Sequence, residues 1–309
     1  MSRTPHLGRR TVLAGFAASA AAFGLPSRGL AQPSAPVTRK ISSSGEAVPA
    51  VGLGTWITFN VGNDPVARDA CAEVMRAFFA AGGRMIDSSP MYGSSQDVIG
   101  HGLRKLGKTD ALFSADKVWI SSPARGPAQI ETSRQRWGVP RFDLLQVHNL
   151  LSWEEHLPAL LRMKAEGRVR YVGITTSEGR RHRDIERIMA NEPIDFVQTT
   201  YNVLDREVET RILPLARERG IAAIVNRPFR EGALIRQVAR HRLPAWAAEI
   251  GCTSWAQFLL KFVIAHPDVT CAIPATGNVA HVQENLGVAR GTLPDAAMRK
   301  RMADTVEAL

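Results

Sequence analysis

Between Val48 and Ala275 the chain alternates short apolar runs with longer stretches in which apolar residues recur every three or four positions. The short runs read VPAVGLGT, RMID, ALFSADKV, FDLLQVH, RYVGIT, DFVQTTY, IAAIVN and VTCAIPA. Runs of this length, bounded by turn-forming residues, predict buried strands, whereas the 3.6-residue period predicts helices packed against them. ARDACAEVMRAFFAAG, WEEHLPALLRMKAEG and RILPLARERG are three of the helical stretches. Eight strand–helix repeats in about 250 residues predict an α/β fold, a (β/α)8 TIM barrel formed as one domain over residues 49–309. A doubly wound sheet is the alternative. Against it, GLGTW lacks the third glycine of a dinucleotide-binding G-x-G-x-x-G and does not open a helix.

Composition narrows the class. With 45% hydrophobic and 6% aromatic residues among 309, the chain reads as globular rather than disordered or fibrous. The formal net charge of +10 raises the question of nucleic acid. Part of the excess lies near the start, where Arg3, Arg9, Arg10 and Arg28 meet no acid, and the remaining basic residues are interspersed with acids. Affinity for phosphate backbones needs clustered charge, so no nucleic-acid partner is expected.

The first residues carry a separate signal. GRRTVLAGFAASAAAFGLPSRGLAQ begins with paired arginines, runs uncharged from Thr11 to Pro26 and reaches the small residues Gly29 and Ala31. That layout predicts a signal peptide over residues 1–31, and the Arg9–Arg10 pair resembles a twin-arginine translocation signal. The apolar part is short for a membrane span, so no permanent membrane anchor is expected. The expectation is export, to a periplasm, in the folded state through the Tat export machinery. Residues 32–48, polar in composition, read as a linker. Cys71, Cys252 and Cys271 are too few for a disulfide framework and read as buried thiols, and no cysteine–histidine spacing suggests a metal.

A TIM barrel places chemistry at the C-terminal ends of its strands. Asp87 ends the second expected strand, Lys117 lies near the end of the third and His148 ends the fourth, while Gln198 lies near the end of the sixth. Any one of them has a structural explanation, as a turn cap, a snorkelling lysine or a satisfied core histidine. Four at four strand ends point to a site.

GLGTW, IDSSPMYGSSQDVIGHGLR, DKVW, FDLLQVHN, MKAEGRVRYVGITTS and IPATGNVAHVQENL, in this order from about Pro49 to Ala289, resemble the signatures of the aldo-keto reductase superfamily. The resemblance implies a barrel that binds a nicotinamide cofactor without a Rossmann fold, and a catalytic set of Asp87, Tyr92, Lys117 and His148. The chemistry asks for these types. Carbonyl reduction needs a hydride donor and an acid at the oxygen, where negative charge develops. A phenol with a pKa near 10 is a reluctant acid, and a neighbouring ammonium is expected to lower that barrier. Asp87 would hold Lys117, Lys117 would tune Tyr92, and His148 would donate a hydrogen bond to the substrate oxygen. The same groups run in reverse would oxidise an alcohol.

For the cofactor, the resemblance implies Thr55, Thr175, Thr176, Gln198, Asn226, Arg227, Thr276, Asn278, His281, Glu284 and Asn285. Gln198 would meet the nicotinamide carboxamide, Arg227 the pyrophosphate, and Glu284 and Asn285 the adenine. Thr276 and Asn278 would open a helix whose backbone amides favour phosphate. Several positions depart from the family pattern: Thr175–Thr176 stand for a serine and an asparagine, Asn226 for a stacking tyrosine. Ala275 and His281 stand where NADPH-preferring relatives often carry Lys and Arg. NADPH is the first expectation and NADH the second. Trp56 and Trp119 would form pocket walls. Asn149 stands where many relatives have tryptophan, and the closing PDAAMRKRMADTVEAL brings no long loop over the pocket, so a more open site is expected. The alternative function is a non-catalytic, cofactor-sensing or partner-binding barrel, against which an intact acid and its tuning groups argue.

Overall fold

Two layers of side chains, one inside a curled sheet and one outside it, organise the molecule. The structure, a computed structural model, describes residues 36–107 and 110–309, so the expected signal peptide at 1–31 lies outside the described residues. An antiparallel hairpin comes first, β1 (Thr38–Lys40) with β2 (Ala47–Pro49). Eight parallel strands follow: β3 (Leu53–Gly54), β4 (Met85–Asp87), β5 (Phe113–Val118), β6 (Phe142–His148), β7 (Val169–Thr175), β8 (Phe196–Thr200), β9 (Ala222–Asn226) and β10 (Cys271–Ala272). Each pairs with its successor in the chain. The two edges are joined by parallel bridges, Val51 to Ala272 and Gly54 to Ala275. The fold is therefore TIM-barrel-like, and each of the eight apolar runs in the sequence coincides with one of its strands to within a residue or contains it.

Helices cover the outside. They include α1 (Pro65–Ala80), α2 (Ser95–Leu106), α3 (Gly126–Trp137), α4 (Trp153–Ala165), α5 (His182–Asn191), α6 (Ile212–Arg219), α7 (Ala233–Val238), α8 (Trp255–Ile264), α9 (Val279–Gly287) and α10 (Ala296–Glu307). The larger apolar cluster, with Phe78, Val98, Val147, Leu157, Val172, Val197 and Phe258, fills the space between sheet and helices. The smaller cluster, with Met85, Phe113, Ala115, Leu144, Tyr171, Phe196 and Ile224, fills the interior. Successive strand residues point to opposite sides, which sends Phe113 and Ala115 inward and Ser114 outward.

The hairpin corrects one expectation. Residues 36–48 are not a linker: Ile41 and Val48 are fully buried within the interior cluster. Around them Glu46 accepts hydrogen bonds from Arg84, Arg170 and the Tyr171 hydroxyl, and Arg170 also binds Asp143. The polar turn Ser42–Gly45 dominates the local composition and hides the two apolar anchors that flank it.

The glycines of GLGTW owe their place to packing rather than to a nucleotide. A Cβ on Gly54 would stand 2.6 Å from the backbone oxygen of Ile273, just where β3 meets the last strand. Gly54→Ala must push those two edges apart. It is expected to lower the unfolding free energy by about 1–3 kcal/mol, the usual cost of overpacking. Urea denaturation measures this, and an unchanged midpoint would contradict the close approach.

Candidate active site

The strand alternation that builds the interior also builds the site. On β4, Met85 is followed two residues later by Asp87. On β5, Phe113 and Ala115 are followed by Lys117; on β6, Leu144 by Gln146 and His148; on β8, Phe196 by Gln198. Apolar residues thus give way to polar ones on the same inward face as each strand reaches its C-terminal end. The register sets Asp87 beside Ala115 and Lys117 beside Gln146.

At the centre lies a buried ion pair. The Lys117 Nζ contacts Asp87 Oδ2 and donates to the Ser88 carbonyl at 2.7 Å, with the lysine side chain wholly and the aspartate side chain almost wholly inaccessible. The other carboxylate oxygen accepts Gln198 Nε2 at 2.9 Å and Gln146 Nε2 at 3.3 Å. Burial alone would lower the lysine pKa. Asp87, by its charge and its hydrogen bond, is the chief opposing influence; together the opposing influences outweigh burial, the pKa is raised, and the side chain remains an ammonium.

Tyr92 sits over this ammonium, its ring centroid 5.1 Å from Lys117 Nζ. The turn that brings it there is tied by Tyr92 N donating to the Ser89 carbonyl. Gly93 follows in the left-handed region (φ 59°), where an added Cβ would stand 2.2 Å from the Asn60 side chain, so glycine suits the turn on both counts. The phenol differs from the sequence expectation. Burial raises its pKa by more than Lys117 lowers it, and the net shift is upward. The hydroxyl is therefore protonated at neutral pH and has a proton to give, and the ammonium moderates a burial effect it does not reverse.

The His148 ring meets Tyr92 edge-on, with centroids 5.8 Å apart and planes at 86°. Burial first, and the Lys117 charge second, pull its pKa down to about 3, so the imidazole is neutral. Its Nδ1 lies 2.8 Å from Ser89 Oγ. Ser89 and Gln146 are the residues that sequence reasoning missed. Gln146 had a visible signal, because the β6 alternation turns it inward with an amide where Leu144 is apolar. Ser89 had none, since serines in a turn need no further reason.

A cavity of about 360 Å³ opens on these groups, lined among others by Trp56, Asp87, Tyr92, His148, Gln198 and Asn226. Thr55 belongs to its wall and donates through Oγ1 to the Asp87 carbonyl at 2.9 Å. Thr175 and Asn226 converge on Gln198 Oε1 at 3.2 and 3.3 Å, and Asn226 also donates to the Thr176 carbonyl. Thr176 Oγ1 is buried with no partner and does not line the cavity. Arg227 lines the cavity, pairs with Glu178 and Glu231 and stacks over Trp56, 5.5 Å from its ring centroid. Trp119 stands outside the lining, half-exposed, its ring 6.4 Å from that of His148.

The remaining expected cofactor residues lie beyond Ala275, which is the cavity edge on that side. Asn278 caps α9, accepting from the amides of Ala280 and His281, and its own amide donates to Thr276 Oγ1. Thr276 Oγ1 also lies 3.4 Å from His281 Nδ1. Glu284 accepts the Ser254 hydroxyl, and Asn285 is buried. The structure therefore gathers Asp87, Tyr92, Lys117, His148, Gln198 and Asn226 in one place and sets the α9 group apart from them. Cys71, Cys252 and Cys271 are buried free thiols. Among the described residues no cluster of His, Cys, Asp and Glu is placed to hold a metal, and no helix is long and apolar enough to cross a membrane.

Comparison with known proteins agrees with this fold. A model of the Aldo/keto reductase family matches residues 50–302. Methylglyoxal reductase YeaE of Escherichia coli is 26% identical over 266 residues, covering 84% of this chain and 92% of its own. Aldo-keto reductase str7 of Strobilurus tenacellus is 28% identical, over 85% of this chain and 91% of its own. A Klebsiella pneumoniae aldo-keto reductase solved with NADPH superposes with a TM-score of 0.74 at 23% identity, covering 88% of this chain and 95% of that one. The holo form of a Bacillus halodurans aldo-keto reductase gives 0.71 at 21% identity, over 88% and 96%.

The depressed His148 pKa has a stability consequence. In the unfolded chain a histidine titrates near 6.5, so between about pH 6.5 and 3 the unfolded state binds the extra proton. The contribution of neutral His148 is complete above the unfolded value and is lost as pH falls toward the folded one. His148→Asn is expected to flatten the pH dependence of the unfolding free energy in this window by up to about 1.4 kcal/mol per pH unit. Urea titrations at several pH values check this; equal slopes would contradict it.

Proposed function

Taking as premise that the chain belongs to the Aldo/keto reductase family, we propose that Tyr92 is the acid with which it reduces an aldehyde or ketone at the expense of a reduced nicotinamide nucleotide. The observation that carries this reading is a protonated phenol and a neutral imidazole side by side on one cavity, with a buried ammonium 5.1 Å from the centre of the phenol ring. When bound, the nicotinamide supplies the hydride. The residues of the chain do the rest. Tyr92 passes its proton to the carbonyl oxygen. Lys117 stabilises the phenolate left behind, Asp87 keeps Lys117 charged and fixed, and His148 orients the oxygen.

The lining of the cavity supports a place for the nicotinamide end of such a group. It runs from Tyr92 and His148 past the amides of Gln198 and Asn226 to the segment Arg227–Gly232 on one side and Ile273–Ala275 on the other. Gln198 and Thr175 would hold the carboxamide, Arg227 the pyrophosphate, and the α9 start with Thr276, Asn278, His281, Glu284 and Asn285 the adenosine end. Asn226 offers an amide rather than a stacking ring. Aldo-keto reductases from K. pneumoniae are described in complex with NADPH and with NADP, and an E. coli relative, 26% identical, is an NADH-specific methylglyoxal reductase. NADPH and NADH are thus both candidates. Small 2-oxoaldehydes belong on a first carbonyl panel because two relatives are methylglyoxal reductases.

Two finer readings accompany this one. The bridges between the sheet edges support a fully closed (β/α)8 barrel. The Arg9–Arg10 signal supports export in the folded state by the twin-arginine route, with nucleotide loaded before crossing; the protein recovered from a periplasmic fraction would then carry nucleotide, and recovery free of it would contradict preloading.

The decisive variant is Tyr92→Phe. It keeps ring and fold and removes the proton. Turnover is expected to fall roughly 10²–10⁴-fold, as is usual for a general acid, with nucleotide affinity unchanged by fluorescence titration. Undiminished turnover at saturating nucleotide would contradict the assignment.

A further inference from the structure

The neutral imidazole of His148 carries one proton on either of two nitrogens, and only one arrangement presents a donor to the cavity. Ser89 decides between them. Its side chain is fully buried. Among the described residues its hydroxyl oxygen has two neighbours within hydrogen-bond distance, the Met91 amide at 3.2 Å and His148 Nδ1 at 2.8 Å. The Met91 N–H can only donate, and it occupies one acceptor site of the oxygen. The hydroxyl has a single proton, for which Nδ1 is the one acceptor at hand.

If Nδ1 bore the ring proton, two donors would point at Ser89 Oγ and the hydroxyl proton would be buried without an acceptor. That arrangement is strongly disfavoured. If Nδ1 is bare, every group is satisfied: Met91 donates to Ser89, Ser89 donates to Nδ1, and the proton rests on Nε2. We propose that the Ser89 hydroxyl is a positioning group that locks His148 in the Nε2–H tautomer, so that the imidazole meets a carbonyl oxygen as a hydrogen-bond donor and never as a base. The chain of bonds begins at a backbone amide, which cannot reverse its direction, and this gives the tautomer its persistence. The lock also divides the labour of the site. His148 gives a hydrogen bond and keeps its proton, while the proton that is transferred comes from the Tyr92 hydroxyl and reaches the alkoxide oxygen formed by hydride addition at the carbonyl carbon. The consequence for catalysis rests on the carbonyl-reduction reading; the tautomer does not.

The test uses the full chain with 15N-labelled histidine and no nucleotide. Eight histidines are present, and His148→Asn assigns the signal. Two-bond proton–nitrogen correlations near pH 7 distinguish a protonated nitrogen from a bare one. The wild type is expected to show His148 protonated at Nε2 and bare at Nδ1. Folded Ser89→Ala is expected to show exchange between the two tautomers, and Ser89→Thr, which keeps the hydroxyl, to restore the single one. In carbonyl reduction Ser89→Ala is expected to lose about tenfold in kcat with little change in KM, because the donor acts on developing charge. A wild-type protein protonated at Nδ1, or a folded Ser89→Ala protein still held as Nε2–H, would overturn the proposal. A wild type that shows the expected tautomer yet reduces no carbonyl with either nucleotide would support the lock and count against the reaction.

Discussion

A carboxylate and an ammonium buried together at the C-terminal end of the sheet constrain everything around them. Taking both charges out of water is expensive, and their attraction offsets the cost only when the remaining polar valences are also met. Here they are. Lys117 reaches the Ser88 carbonyl as well as Asp87, and Asp87 reaches the amides of Gln146 and Gln198 as well as Lys117. An apolar pair of equal volume would serve stability as well or better. What the ion pair adds is a fixed positive charge under the ring of Tyr92, shielded from solvent, where such a charge acts more strongly than in water. The pair is better understood as a device for holding that charge than as a contribution to folding.

The fold supplies the position through the period of two along its strands. Below, inward residues such as Phe113, Leu144 and Phe196 pack the interior; above, the same face presents Lys117, His148 and Gln198. The hairpin plug at Ile41 and Val48 seals the opposite end with side chains from a segment whose turn is polar. Gly54 lets the first strand approach the last, and Gly93 lets the turn after Tyr92 pass against Asn60. Shape and chemistry therefore have one origin, and the polar end of the interior is open because a cavity lies there instead of a core.

Much of this was legible in the residues. Asp87, Lys117 and His148 stand where short apolar runs end, and Tyr92 follows Asp87 within a single turn, so the barrel rule and the family resemblance converged on the four. What was not legible depended on burial and on partners distant in sequence. The upward shift of the Tyr92 phenol reflects partial burial at the cavity wall, a quantity with no trace in local sequence. The ion pairs of Arg227 with Glu178 and Glu231 likewise leave no trace in the local sequence. Residues 36–48 read as a linker because Ser42–Gly45 outweigh Ile41 and Val48 in composition. Ser89 escaped notice because its partner, His148, lies 59 positions away.

The central claim is that the Lys117 charge makes an otherwise burial-hardened phenol at Tyr92 easier to ionise. With three tyrosines in the chain, 13C labelling of the ring Cζ gives three signals, and the one absent from a Tyr92→Phe protein belongs to Tyr92. Its titration in the wild type and in Lys117→Met, without nucleotide, measures the effect directly. The account predicts that the Tyr92 signal of the Lys117→Met protein ionises at higher pH than that of the wild type. Ionisation at the same or a lower pH in that variant would contradict it.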